Sequence, residues 1–307
     1  MALRQLGFVD LPPNAKAGGF DHAAVHEPTG RVYVAHTAND AVDVIDIAAQ
    51  LYVRSIPDLP AVAGALVAEP DLVFTSNRGE NTVGVFTTAD VPRVEKVPVG
   101  IRPNGLAYDP KRGRLLAAHV GDPAVAGSFT VSVIDVRARK RIGDVPVAGR
   151  TRWAVYDPVS DAFHVNIADP PQIIVVESGD PVRNRRIVPI PHAGPHGLDI
   201  DVRSRRLFCA CDAGVLAAVD ADTGKLLESH PIGGVPDVVF FNPGLSRLYV
   251  AIGDPGVIEV FDAASLARRE TIRTEAGAHT LSFDATRNVV CAFLPASHRA
   301  AVYEDRP

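Results

Sequence analysis

Side chains able to bind a metal, move a proton or hold charge recur along this chain at a spacing near forty residues. His22, Gly64, Asn104, Arg152, His196, Asp237 and His279 are separated by 42, 40, 48, 44, 41 and 42 residues. Three imidazoles and a carboxylate suit a borderline divalent ion such as zinc, manganese, iron or copper, and three protein ligands leave a position open for water or substrate. His22, His196, His279 and Asp237 are therefore the expected metal ligands. Arg152 offers a planar fork for a carboxylate or a developing oxyanion. Asn104 could hydrogen-bond a ligand, and Trp153, the single Trp in the chain, could flank one. No HExxH or CxxC motif gathers ligands locally, so a fold must bring these residues together.

The spacing itself names that fold. Periods of about 40 residues mark stacked supersecondary units. HAAVHEPTGRVYVAH from His22, NGLAYDPKRGRLLAAH from Asn104, RWAVYDPVSDAFHVN from Arg152, HGLDIDVRSRRLFCAC from His196, DVVFFNPGLSRLYVAI from Asp237 and HTLSFDATRNVVCAF from His279 align, with an eroded copy, GALVAEPDLVFTSN, from Gly64. Each copy gives a short apolar strand ending near an acidic residue or Asn, a tight turn, a second strand such as RVYVA, a Val-rich third strand and a polar fourth strand. Residues 121–128, GDPAVAGS, absorb the longest interval as a loop. The expectation is an all-β, seven-bladed propeller of four-stranded antiparallel blades, one domain over residues 1–307. Residues 2–11 read as an outer strand that the last repeat lacks, so the N-terminal strand should complete the last blade and close the ring.

In such a ring the residue that begins each copy lies near one mouth of a central channel, with Arg152 across from the metal ligands. An alignment slip of one residue would turn a side chain to the other face. A second column, at the end of each second strand, reads His36, Asn77, His119, Asn166, Cys211, Ile252 and Phe293. It would place polar groups on blades one to four and apolar ones on six and seven. His36 or His119 could move a proton for a reaction at the mouth. Asn77 and Asn166 could contact substrate, although support of nearby backbone explains them as well. The bland alternatives remain open elsewhere: the histidines as hydrogen-bonded groups at a wet mouth, Arg152 as an ion-pair partner, Trp153 as packing between blades.

Composition limits the function classes. With 31 Lys and Arg against 36 Asp and Glu, the chain has no basic surplus to meet a row of phosphates, which argues against nucleic acid. No stretch has the length of a membrane span, and the N-terminus lacks the pattern of a secretory signal, so a cytoplasmic location is expected for the sequence as it stands; a shortened secreted form would read the same. Three Cys, two of them at 209 and 211, do not form a disulfide framework. The chain is compatible with a monomer, with a small molecule as its partner.

The segments YVAH (33–36), FTSN (74–77) and LYVAI (248–252), each followed by a Val-rich strand, resemble the YVTN repeat family of propellers. The resemblance spans essentially the whole chain and implies a seven-bladed ring; within that family function ranges from surface-layer repeats to lactonase-like enzymes. The functional expectation is a metal-dependent hydrolase, lactonase-like, or a lyase, acting on a small organic substrate at the channel mouth. The alternative is a non-catalytic module that binds a protein or small ligand.

Overall fold

Alternating and β-branched sequence produces strands almost throughout. The computed structural model describes residues 3–68, 70–181 and 185–306. Twenty-eight strands, numbered in chain order, form seven four-stranded antiparallel sheets. The first strands of the blades are β2 (Phe20–His26), β6 (Val62–Ala68), β10 (Pro103–Asp109), β14 (Thr151–Asp157), β18 (Pro195–Asp201), β22 (Pro236–Asn242) and β26 (Thr280–Asp284). Each packs against the first strands of its two neighbours, and β26 meets β2, so the sheets stand in a ring about a central channel.

The second strands are sandwiched between blades. In β3 (Arg31–His36) and β23 (Arg247–Ile252) nearly every residue is buried, as expected where both faces of a sheet are covered. Outer strands such as β13 (Lys140–Pro146) are mostly exposed, which is why their sequence is polar. Interblade contacts build the core; Val9, Val32, Val34, Val289, Cys291 and Val302 join blades seven and one. Cys209, Cys211 and Cys291 are buried free thiols.

Blade seven is completed from the other end of the chain. Its order is β1 (Leu3–Asp10), β28 (Arg299–Asp305), β27 (Val289–Leu294) and β26. The ladder between β1 and β28 runs from Leu3↔Asp305 to Asp10↔Arg299, and the Leu11 N–H donates to the His298 carbonyl at 2.8 Å. The closing strand expected from residues 2–11 is thus present over its described part, and it covers an edge that would otherwise expose unpaired backbone. Among the described residues no helix is long and apolar enough to cross a membrane.

Candidate functional site

A bulge aims the mouth residues. In the first strands of blades one to six the register shifts just past the first paired residue: Phe20↔His36, Val62↔Asn77, Pro103↔His119, Thr151↔Ile167, Pro195↔Cys211 and Pro236↔Ile252 precede the shift. An extra residue at such a point breaks the alternation and re-aims a side chain. The residues that follow are Asp21, Ala63, Asn104, Arg152, His196 and Asp237. In blade seven, Leu281↔Ala292 corresponds to Ala23↔Val34, which puts His279 in the same place.

Blades one and two therefore differ from the sequence alignment by one residue: the column holds Asp21 and Ala63, while His22 and Gly64 stand one step inward. The cause lies in the turns. Alignment matched Glu27-Pro28 to Asp109-Pro110, but the residue that starts the turn in blade one is His26, whose carbonyl accepts the N–H groups of Thr29 and Gly30. In blade three that position is Asp109, whose Oδ1 accepts from the N–H groups of Lys111 and Arg112. The ladders confirm the equivalence, pairing His26 with Arg31 and Asp109 with Arg114.

Glycine brings neighbouring blades close enough for their mouth residues to meet. A Cβ on Gly105 would lie 2.4 Å from the Arg152 carbonyl oxygen, and one on Gly197 would lie 2.9 Å from that of Asp237. The same position carries His22 in blade one and Trp153 in blade four, and their rings lie 4.0 Å apart between centroids. Trp153 also meets Phe240 edge-on. Trp153 thus faces the channel.

Asp237 is the centre of the mouth. Its Oδ1 lies 2.6 Å from His196 Nε2, and its Oδ2 lies 3.8 Å from His279 Nε2. Asp21, His22 and Asp237 each offer a ligand atom within 4.8 Å of the others, the one such group of three among the described residues. Burial alone would raise the Asp237 pKa; hydrogen bonding to His196 and the positive charge of that imidazole outweigh it, holding the carboxyl well below its usual range. Burial lowers the pKa of His22 despite Asp21 and Asp237, which keeps it a neutral imidazole able to ligate.

His196 sits between two carboxylates, with Nδ1 at 2.7 Å from Asp212 Oδ1. Burial opposes its protonation, but the bonds to Asp212 and Asp237 prevail and its pKa is raised. Both ring nitrogens then donate, so Arg152 Nη1, 3.0 Å from Nε2, is a neighbouring cation and not its donor. Arg152 Nη2 donates to Asp212 Oδ2 at 3.2 Å. Arg152 thus stands beside the cluster, correcting the expectation that it lies across from it. His279 Nδ1 faces the Gly277 carbonyl at 2.8 Å; a carbonyl only accepts, so Nδ1 carries a proton and donates.

Guanidinium groups occupy the other arc. Arg78 Nη1 lies 3.2 Å from Asp21 Oδ2, and Arg78 donates to Asn104 Oδ1. Partial burial, then the charges of Arg152, Arg78 and Arg102, lower the pKa of Arg150. Acid and imidazole from blades five, six, seven and one are thus flanked by arginines from two, three and four. Sequence reading missed Asp21, Arg78 and Asp212. Arg78 and Asp212 each follow the last residue of a second strand, β7 (Leu72–Asn77) and β19 (Arg206–Cys211), one step past the column that was read.

That second column also needs revision. By register it is His36, Asn77, His119, Ile167, Cys211, Ile252 and Leu294, so only blades one to three are polar. Asn166 points the other way, its amide donating to the carbonyls of His196 and Gly197 at 3.0 and 3.1 Å. Asn77 donates to Thr82 Oγ1 at 3.0 Å within its own turn. His36 and His119 are 0% exposed and do not line the channel. His36 is held by Asp43 at 2.7 Å and Asn14 at 2.8 Å. His119 Nδ1 meets Thr130 Oγ1 at 2.7 Å, and burial lowers its pKa to about 4.

Fold and mouth together define a seven-bladed β-propeller with a polarised, titratable channel mouth. No protein-family model matches the chain, and no curated protein sequence matches it.

Proposed function

We propose that this propeller is a metal-dependent enzyme acting on a small organic molecule at the mouth of its channel, by lactone hydrolysis or a lyase-type elimination. One observation carries the reading: Asp21, His22 and Asp237 converge within 4.8 Å, with His196 Nε2 2.6 Å from Asp237. The His22 imidazole and the Asp21 and Asp237 carboxylates, drawn from blades one and six, are a fitting donor set for zinc, manganese, iron or copper; His196, bonded to Asp237, orients that carboxylate, and His279 stands next to them. An ion held there supplies Lewis acidity toward a carbonyl or carboxylate oxygen and lowers the pKa of water.

The chain's own residues supply the rest. Arg152, with Arg78 and Arg150 near it, holds a substrate carboxylate or the negative charge that develops in the reaction. Trp153 bounds the organic part of the substrate. The proton-moving role expected of His36 or His119 fits His279 better, because its side chain is 40% exposed at the mouth and its Nε2 lies 3.8 Å from Asp237. Asn104 is tied to Arg78 and orients it. The YVAH, FTSN and LYVAI segments support placing the chain among YVTN-repeat propellers, whose lactonase-like members share this architecture.

A second reading has its own support: Arg78 and Arg152 already pair with Asp21 and Asp212, so the mouth is close to charge balance without an ion, as a non-catalytic binding platform requires. Elemental analysis of untagged protein separates the two. The enzyme reading expects roughly one equivalent of a divalent metal, lost in both Asp237→Asn and His196→Ala together with turnover of a lactone panel. Metal-free protein with both variants behaving as wild type would establish the platform instead.

A further inference from the structure

Below the mouth, the first strands enclose a cavity of about 570 Å³, a size typical of small-molecule sites. It runs from His22 and Trp153 at one end to Tyr108, Pro110 and Tyr156 at the other. One ring of equivalent positions runs round the first strands: Ala24, Leu66, Ala107, Val155, Asp199, Phe240 and Ser282, paired respectively with Tyr33, Phe74, Leu116, His164, Phe208, Tyr249 and Cys291; all but Ser282 line the cavity. Six blades contribute a small or apolar residue. Blade five contributes a carboxylate.

Asp199 is oriented but not neutralised. Its Oδ1 accepts from its neighbour's N–H, that of Ile200, at 2.8 Å, and its Oδ2 accepts from the Phe241 N–H on blade six at 2.7 Å. Each oxygen keeps a lone-pair site unfilled. No cationic side chain among the described residues pairs with it, and burial pushes its pKa up to about 6. Trp153, Phe240, Phe283, Tyr108 and Tyr156 line the same cavity. Aromatic rings beside a single carboxylate form a site of the kind that holds an organic ammonium.

We propose that the channel binds a monovalent organic cation with an apolar body, an alkyl- or arylalkylammonium, whose head pairs with Asp199 and whose body lies against Trp153 and Phe240. Its carboxylate is three residues along the strands from the mouth column, although the cavity shares Trp153 and His22 with the mouth. Trp153 is the only Trp, so its fluorescence reports the channel directly.

The test titrates the protein with 2-phenylethylammonium and with its neutral counterpart 2-phenylethanol, following Trp153 emission and heat. Wild type should bind the ammonium at least about tenfold more tightly than the alcohol. Asp199→Asn should erase that preference while leaving the alcohol's affinity unchanged. Ala24→Phe, which fills the channel from blade one, should abolish binding of both. Equal affinity for the two probes in wild type, no change in Trp153 emission, or ammonium binding that survives Asp199→Asn would overturn the proposal and leave Asp199 as a tie between blades five and six. Should Asp199→Asn fail to fold, the wild-type preference and the Ala24→Phe variant still decide. Metal content is read separately, so failure here and failure of the enzyme reading are distinguishable.

Discussion

The mouth and the shaft of the channel are built by the same seven strands, three residues apart, yet they treat charge in opposite ways. At the mouth every carboxylate has a cation: Asp237 meets imidazoles, Asp21 meets Arg78 and Asp212 meets Arg152. In the shaft Asp199 meets only two backbone N–H groups. Burial bears on both Asp237 and Asp199, and it is the partners that decide the outcome: one is held ionised and the other is pushed toward neutrality. The mouth is thus organised for charged chemistry, while the shaft carries one carboxylate that no cationic side chain among the described residues pairs with.

The largest perturbation should break both regions together. Removing residues 1–11 strips β1 from blade seven, the blade that supplies His279 to the mouth and Phe283 to the shaft. The thermal transition should fall by on the order of 10 °C or more, with aggregation through the uncovered β28 edge. An unchanged melting curve would mean that the ring does not rely on this closure. Next in size, Asp237→Asn should break the mouth alone. Metal affinity should drop roughly 10–100-fold or more, while 2-phenylethylammonium still titrates Trp153 as in wild type. Simultaneous loss of both activities would show that mouth and shaft are one site.

A pH series sharpens the contrast from the shaft side. The folded-state pKa of Asp199, about 6, lies above its ordinary value of 3.8, so the native state binds this proton more tightly than the unfolded chain. Its contribution to stability is full below about pH 4 and is lost as pH rises through 6. The loss approaches about 3 kcal/mol at pH 8 if unfolded Asp199 titrates normally. Asn cannot ionise. Denaturant unfolding of wild type and Asp199→Asn should therefore show the variant gaining about 2–3 kcal/mol relative to wild type between pH 4 and pH 8. His119 works the other way, losing its contribution as pH falls from 6.5 toward 4, but both proteins contain it and the difference cancels it. A constant difference across the series would place a compensating charge beside Asp199.

Sequence alone disclosed the ring and its closing strand because both follow from periodicity, which small alignment errors do not disturb. The site is more fragile: a bulge sits at the residue that matters, so one misplaced residue exchanges Asp21 for His22. The misleading signal was local. His26 begins the turn in blade one where Asp109 does in blade three, and the Glu27-Pro28 pair imitates the Asp109-Pro110 pair one position late. Asn104, Arg152, His196, Asp237 and His279 do share the aligned column, because their blades keep Asp or Asn at the turn. Asp199 was invisible for a different reason. It lies in an alternating strand, LDID, where an Asp reads as a solvent-facing residue, and only closure of the ring makes that face an interior one.

The smallest effect tests how the two regions are kept in register. Asn166 and Ser76 occupy equivalent positions, one before the end of their second strands, and both donate to the backbone carbonyl of the next blade's mouth residue: Asn166 to His196 and Ser76 Oγ to Asn104 at 2.7 Å. Each is a positioning residue, buried and touching no part of the channel. Replacing Asn166 with Ala leaves two buried carbonyls without this donor, which should cost about 1–2 kcal/mol in unfolding free energy. If the bond also sets the height of His196, the variant should show weaker metal retention with Arg152-dependent substrate affinity altered less than tenfold, and 2-phenylethylammonium binding in the shaft should not move. A Gln at 166 should restore part of the stability, since its amide carries the same donor on a longer stem. Loss of stability with metal retention untouched would confine Asn166 to joining blades four and five, and would mean that Asp212 and Asp237 alone fix the imidazole.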